Sequence, residues 1–503
     1  MSIMPLTLHL LPLAATVALL VSRRVSMLTA GTAGMALAAG VLMAALMVAQ
    51  PSGATASDWL AQLPGLLPAV ALKAGEGAWL AWHAMSIIAA GLLFHRAFEA
   101  RAVKAEAQVE AKTPAERRRA VFVACLLAGP FAESVTGFGV GLVVALAMLR
   151  PLNLPPAHAA ALGLFSQMLA PWGALGVGTR VGAELIGVSF TELGTASAAL
   201  MVVVLPSLLL VFWRLIHGAG LTSSPIDRAR DVALMLALAG LLWLTNCFVA
   251  PELGGGLATA VLLLAVEARR LPRDAAGLSR LLALLWPYVV LVGGLMATRL
   301  VPPLSGWTAD SLVLDPFGGL APMPLLRHPS TWLVAIALVM LASLPRGRAL
   351  HVAVPALARP RWSPMAATLV FVELAAFMAA SGGATAFGQA WQAVAGSAAV
   401  LAVPVLGAAT GMLTGSNTAS NALMMHIQVN LASGSGLPLI AAAAIQVVAG
   451  SVCTLLTPGR IVLASSLLGL TKAESAIYRL ALPIGVASTA SLLLVVTAWV
   501  WLV

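Results

Sequence analysis

Two short segments hold most of the chemistry this chain could do. The first is Gly129-Pro130-Phe131-Ala132-Glu133-Ser134-Val135-Thr136-Gly137-Phe138-Gly139, a carboxyl among glycines and hydroxyls. The second, Thr414-Gly415-Ser416-Asn417-Thr418-Ala419-Ser420-Asn421, gathers hydroxyls and amides without net charge. Both are set inside apolar sequence. A carboxyl at membrane depth is costly, and is therefore paired, protonated or functional. Glu133 is thus a candidate carrier of a coupling proton; the alternative is a structural carboxyl bonded to a broken helix end. Ser416, Asn417, Thr418, Ser420 and Asn421 beside a helix N-terminus, with its free backbone N–H donors, suit a substrate carboxylate. Gly411 and Gly415 would let backbone approach closely. The competing reading is helix packing through small polar residues.

Further residues join these. Thr136 and Gly137 belong to the first segment and are expected to share the substrate site. Arg460 follows an apolar, glycine-containing stretch at the edge of a broken region. It could clamp a carboxylate bidentately or snorkel to the interface. For Arg180 snorkelling is the expectation. Glu373 is a second intramembrane carboxyl, read equally as a pair for an Arg or as a second proton-coupling candidate. His83 and His426 lie in expected spans and could relay protons; for either, a hydrogen-bonded packing histidine is the expectation. Gln167, Gln428 and Gln446 are candidate pore-lining amides. Thr136-Gly137-Phe138-Gly139 has the look of a cation filter, but a filter needs four such loops around one axis, and this chain has one.

The elements that must hold these residues follow from composition. Of 503 residues, 60% are hydrophobic and 9% charged, with mean hydropathy +0.98, where soluble domains carry roughly 25% charge. The chain is an all-α polytopic membrane protein, read as one integral transporter domain over 1–503. A crossing needs roughly 20 apolar residues. Candidates are 6–22, 26–49, 77–95, 196–216, 231–250, 253–268, 281–301, 330–345, 364–387 and 480–502. Segment 59–72, with Pro64 and Pro68, reads as interfacial or re-entrant. Regions 119–188 and 393–470 each hold more apolar length than one span, interrupted by Gly, Pro and polar residues. Non-helical backbone at this depth is tolerated only against protein or a watery cavity. Matched broken segments in two halves are the sequence sign of a transporter's substrate site. The expectation is about 12–14 transmembrane helices with two inverted broken-helix hairpin repeats.

Charge sets the orientation. Net charge is +10, but the bases fall in short loops between spans, as the positive-inside rule expects, so a nucleic-acid partner is not expected. Arg23 and Arg24, the run from Arg96 to Arg119, Arg228 and Arg230, Arg269 to Arg280, and Arg346 to Arg361 fall on one side. Loops 50–60, 250–254 and 302–329 are nearly free of Lys and Arg. The order apolar run, then Arg23-Arg24, suits a retained first span rather than a cleaved leader. Alternation closes if 120–149 is a hairpin from the basic side, 157–178 one crossing, and 393–470 the opposite arrangement. Cys125, Cys247 and Cys453 lie in apolar stretches and are expected to pack as small hydrophobes. No metalloprotease, nucleophile-elbow or phosphate-loop signature is present.

At these same residues the chain resembles the L-lactate permease family. Phe131-Ala132-Glu133-Ser134-Val135-Thr136-Gly137-Phe138-Gly139 is similar to that family's F-L-E-G-A-A-G-F-G, and Gly173-Ala174-Leu175-Gly176 to its G-A-M-G. Leu413-Thr414-Gly415-Ser416-Asn417-Thr418-Ala419-Ser420-Asn421-Ala422 is similar to L-T-G-S-D-T-S-S-N-A. Thr457-Pro458, then Lys472-Ala473-Glu474-Ser475, resemble S-P and G-K-E-S. The resemblance implies a bacterial inner-membrane symporter that brings in L-lactate with a proton, often also D-lactate and glycolate. It implies no cofactor, proton coupling with sodium as the alternative, and the bilayer and a small carboxylate as partners, with a homo-oligomer compatible. Ser416-Asn417-Thr418 also resembles the Ser-Asn-Thr signature of dicarboxylate carriers. The chain departs from the family pattern at Ser166-Gln167, at Gln446-Val447-Val448-Ala449-Gly450, at Thr454 where a family Lys falls, at Arg460 and at Glu373. These departures bear on substrate more than on fold. A sodium-coupled or dicarboxylate carrier, and a channel or membrane-embedded enzyme, are the competing functions.

Overall fold

The computed structural model describes residues 4–22, 24–49, 56–101, 113–345, 347, 349, 351–352 and 362–502. The basic positions Arg23, Lys104, Lys112, Arg346, Arg348, Arg359 and Arg361 lie outside them. Almost everything described is helix, apolar on all faces as membrane-buried helices are. Among the described residues, eleven helices are long and apolar enough to span a bilayer, or twelve if the bent pair Pro156–Gln167 and Ala170–Leu185 is one span. Leu6–Ser22, Val140–Leu152 and Pro329–Ala342 are shorter apolar helices. Among the described residues, strand is confined to an antiparallel pairing of Val313–Leu314 with Met323–Pro324 in the basic-poor loop.

Helices α1 (Leu6–Ser22) and α2 (Met27–Val48) pair at the N-terminus. Then comes α3 (Ala56–Arg101), 46 residues without interruption. At 1.5 Å per residue it runs about 69 Å, well over the thickness of a bilayer core. Segment 59–72 is therefore not a separate re-entrant piece: it continues into the span, and its prolines do not end the helix. Side-chain caps start several helices. Thr113 and Glu116 form a reciprocal capping box for α4 (Pro114–Val123), as do Ser189 with Glu192 and Ser224 with Asp227 for two later helices. Each satisfies N–H groups that a helix start leaves unpaired.

The first broken region begins as α4 runs through a π turn into α5 (Gly129–Thr136). The chain reverses at Gly137, Phe138 and Gly139, all at positive φ. It returns as α6 (Val140–Leu149), passes through α7 (Pro156–Gly163) and breaks again into α8 (Gly173–Leu185). Within α8, Ala174, Leu175 and Gly176 make a left-handed turn, a conformation an alanine and a leucine adopt only when the surroundings enforce it. Next come α9 (Phe190–Gly218), α10 (Pro225–Phe248), α11 (Gly254–Glu267), α12 (Ala275–Leu300), α13 (Pro302–Asp310) and α14 (Pro329–Ala342).

After them, α15 (Ser363–Ala380) packs on α2 and α3. The span expected at 364–387 is cut at Gly382, where φ is +77°, and α16 (Gly383–Ala395) starts there. The second broken region follows. Helix α17 (Ala402–Thr414) turns at Gly415-Ser416 into α18 (Asn417–Ala432). Then α19 (Leu439–Cys453) breaks at an extended Thr457 before α20 (Pro458–Leu467), and α21 (Glu474–Leu502) closes the described chain. Each broken region is thus a hairpin followed by an interrupted helix.

Candidate functional site

The four breaks meet. A cavity of about 350 Å³ is walled by both hairpin tips, at Gly137–Gly139 and Thr414–Thr418, and by both interrupted helices, at Ala170–Gly178 and at Thr454, Arg460 and Leu463. Met27, Ile88, Ser363, Pro364, Ala367 and Thr368 complete it. Met27 and Ser363 open helices that follow basic stretches, so the cavity reaches toward the basic face.

Two glycines allow each tip to touch the interruption of its own region. Gly137 (φ +72°) lies so close to Ala174 that an added Cβ would fall 2.6 Å from the alanine's own. Gly415 (φ +65°) lies on Thr457, where a Cβ would come within 2.8 Å of the threonine methyl. Polar side chains then tie each tip to the other region. The Asn417 amide donates to the Ala170 carbonyl at 3.3 Å, and Asn421 donates to Gly178 at 2.9 Å and to Asn417 Oδ1 at 2.9 Å. In return Glu133, on the first tip, reaches Arg460, on the second interruption, with Oε1 and Nη1 3.7 Å apart.

Glu133 is 2% exposed. Its two oxygens accept the backbone N–H groups of Gly139 (3.2 Å) and Gly141 (3.0 Å), at the start of α6. A carboxylate there satisfies orphan donors and faces the positive end of the helix. The structural and functional readings of Glu133 meet in one side chain that caps a helix, walls the cavity and faces a cation. Arg460 is less settled: its Nη1 is buried and makes no hydrogen bond.

At the second tip, Ser416 caps α18 by accepting from Ala419 N at 3.3 Å, and its carbonyl takes Ser420 N. This leaves the Asn417 and Thr418 amides as the remaining donors of the first turn, on residues that wall the cavity. Gly137, Gly415, Ser416, Asn417, Thr418, Arg460 and Glu133 are therefore brought together. Thr136, Ser420 and Asn421 are not among the lining residues. Thr136 turns back to the Ala132 carbonyl of its own helix, while Ser420 bonds Thr410 and Gln446. Asn421 is spent on bracing.

Glu373 sits apart, its carboxyl against Gly77 of α3 and its Oε2 without a partner. The expected pore-lining amides do not line the cavity. Gln428 bonds Gln446 (2.8 Å) and the Val403 carbonyl (2.9 Å), locking α17, α18 and α19 together, and Gln167 is buried beside Ser166. An amide with several hydrogen-bonding atoms is served better by neighbouring helices than by an open wall.

Sequence reasoning missed a second polar cluster. Glu184, Glu252, Arg299 and His328 gather with His83 and Arg180 between α3, α8 and the loops before α11 and α14. Arg180 does not snorkel freely. Its guanidinium stacks 4.7 Å over Phe190 and lies 3.8 Å from Glu184. Glu252 pairs with Arg299, which also donates to Thr298 and to the Arg327 carbonyl. The available signal was the near absence of Lys and Arg from these loops, which made Arg299 and Arg327 unusual.

The fold and the convergent breaks define a membrane transporter. Residues 320–503, a segment that contains the second broken region, match the family model described as L-lactate permease. The first region's motifs lie outside the matched residues. No curated protein matches the chain. Among solved structures, the chain is similar to MtrF of Neisseria gonorrhoeae, which is described within a class of antimetabolite efflux pumps. The two are 15% identical with TM-score 0.48, over 97% of this chain and 95% of that one. It is likewise similar to the YdaH transporter of Alcanivorax borkumensis, at 15% identity and TM-score 0.48, over 94% of this chain and 98% of that one.

Proposed function

We propose that the protein carries L-lactate and related small 2-hydroxy monocarboxylates, D-lactate and glycolate among them, with a proton across the bacterial inner membrane. The observation that carries this reading is the charge inventory of the cavity. Among the described lining residues, Arg460 is the one cation and Glu133 the one anion. One guanidinium suits one carboxylate, and the second carboxylate of a diacid would lack a counter-charge. The Asn417 and Thr418 amides and the Ser416 and Thr418 hydroxyls supply donors and acceptors for the carboxylate and the 2-hydroxyl.

Coupling follows from competition. A substrate carboxylate and Glu133 both need Arg460. A proton on Glu133 removes the competitor, and places an O–H among the backbone donors of Gly139 and Gly141, which loosens the first tip. Carboxylate and proton then move as a neutral pair, avoiding the cost of a bare anion in a low-dielectric path. Glu373, away from the cavity wall, is the second candidate for the proton.

The test is uptake of labelled L-lactate into proteoliposomes under an inward proton gradient, with glycolate, D-lactate and succinate as competitors. Gradient-driven uptake blocked by the monocarboxylates and spared by succinate is expected. Uptake that follows sodium at fixed pH, or is blocked by succinate, would replace this reading with the sodium-coupled or dicarboxylate one.

A further inference from the structure

The cluster around Glu184 differs from an ordinary buried ion-pair network. The Glu184 side chain is 7% exposed and that of His83 is 1% exposed. Buried polar atoms are nearly always hydrogen-bonded. Here both Glu184 oxygens, both His83 ring nitrogens and His328 Nε2 lack any hydrogen-bond partner. The shortfall is selective: a few side chains away, Glu252 and Arg299 are paired and bonded. His83 Nδ1 lies 4.0 Å from Glu184 Oε1, a separation that a small side-chain rotation or one bridging water closes. The His83 ring meets those of His328 (5.6 Å between centroids) and Trp79 (5.1 Å) edge-on. The Ala321 carbonyl accepts from Trp79 Nε1 at 3.0 Å and also faces the His83 ring. His328 Nδ1 is held by Ser330 at 2.7 Å, and its other nitrogen is buried without a hydrogen bond.

The position is as telling as the chemistry. The cavity reaches toward the basic face, whereas this cluster is roofed by the loops nearly free of Lys and Arg. Helix α8 connects the two. Its Ala174, Val177 and Gly178 wall the cavity, and Glu184 lies six residues further on, about 9 Å along the axis. The charged groups facing the cluster are Arg180 on α8, Glu252 before α11, Arg299 on α12 and Arg327 before α14; the titratable neighbours are His83 on α3 and His328.

We propose that His83, Glu184 and His328 form a second proton-binding site, distinct from the substrate cavity, through which the coupling proton passes between the basic-poor face and the cavity. A carboxyl and two imidazoles that each keep a buried atom free of hydrogen bonds can accept a proton there and give it up again. The step is a proton transfer alone. One proton from water is taken by a Glu184 oxygen or an imidazole nitrogen and later leaves from the same group toward the cavity, and no other bond changes. The inference rests on the proton-coupled reading above and adds the residues on the far side of the cavity that such coupling needs.

The test uses the full-length protein in proteoliposomes and labelled L-lactate, comparing two activities. One is accumulation driven by a proton gradient, with proton influx recorded by an internal pH dye. The other is exchange of internal for external lactate, which needs no net proton movement. Wild-type protein that shows no gradient-driven accumulation would overturn the proposed function itself. Given wild-type coupling, Glu184→Gln is expected to keep exchange and lose both accumulation and proton influx, with Glu184→Asp restoring part of each. Accumulation unchanged in Glu184→Gln, or accumulation and exchange lost together in well-folded protein, would overturn this inference. If Glu184→Gln does not fold, His83→Gln is judged by the same split.

Discussion

Glu133 and Glu184 are both carboxyls inside this membrane protein, each with a guanidinium nearby, at 3.7 Å and 3.8 Å, and they differ in their hydrogen bonds. Glu133 accepts two backbone N–H groups and lies 3.7 Å from Arg460 on the other broken region. Glu184 has a guanidinium and an imidazole near it and no hydrogen bond to either. Glu133 walls the cavity and Glu184 does not. The difference teaches that a buried charge can be kept for two reasons. One that is capped and paired fixes a geometry, and changes that geometry when it is neutralised. One left without hydrogen bonds is poised to gain and lose a proton without rearranging the fold.

The contrast can be broken most severely at Arg460. Arg460→Ala removes the cavity's cation and leaves Glu133 without its counter-charge. A loss of about 2–5 kcal/mol in lactate binding is expected, as for truncating one member of a buried charge pair. Equilibrium binding to purified protein checks this, and Arg460→Lys should recover only part, because an ammonium lacks the planar fork. Glu133→Gln comes next. It imitates the protonated state, so lactate should still bind, but with the same affinity across pH, and accumulation against a gradient should fail while expression stays intact. Full pH-dependent uptake in this variant would sink the role given to Glu133. Glu184→Gln should do the converse, retaining pH-dependent binding while losing accumulation. If both glutamines behave alike, the comparison collapses.

Smaller effects test the scaffold. Gly178→Ala places a Cβ 2.5 Å from the Asn417 amide, forcing apart the brace between α8 and α18. Overpacking of this kind costs about 1–3 kcal/mol, read as a lowered midpoint in thermal unfolding of the detergent-solubilised protein. Lys73→Ala is the smallest. Lys73 is exposed and its half-buried partner Glu76, at 2.8 Å on the same helix as His83, completes a surface pair worth about 0–1 kcal/mol. Lactate accumulation should be unchanged, which separates loss of a nearby charge from loss of the buried cluster.

Much of this was legible in the sequence. Glycine, proline and hydroxyls have no use on a lipid-facing helix, so the two broken regions stand out of the apolar background. Glu133, Gly415, Ser416 and Arg460 were found on that ground, and they do share a cavity. The rest depends on tertiary packing that residue type does not encode. Ser420 and Asn421 look like Ser416 and Asn417 by composition, yet one helical turn carries them from the cavity wall into the helix interface. Glutamines in the apolar stretches could line a pore or tie helices, and only the neighbouring helices decide. Glu184, Glu252, Arg299 and His328 lie at helix ends and in loops, where hydropathy assigns charge to water. Their burial comes from a loop folded back over α3 and α8. The continuation of α3 through Pro64 and Pro68 was hidden similarly, since proline weakens a helix without always ending it.

The central claim is that lactate and Glu133 compete for Arg460. Its most direct test is the affinity of purified protein for L-lactate across pH, in the wild type and in Glu133→Gln. The account predicts that wild-type affinity rises as pH falls, because each bound lactate displaces Glu133 and leaves it to take up a proton, and that the variant binds without pH dependence. Wild-type affinity that does not change with pH, or a variant that keeps the wild-type dependence, would contradict it.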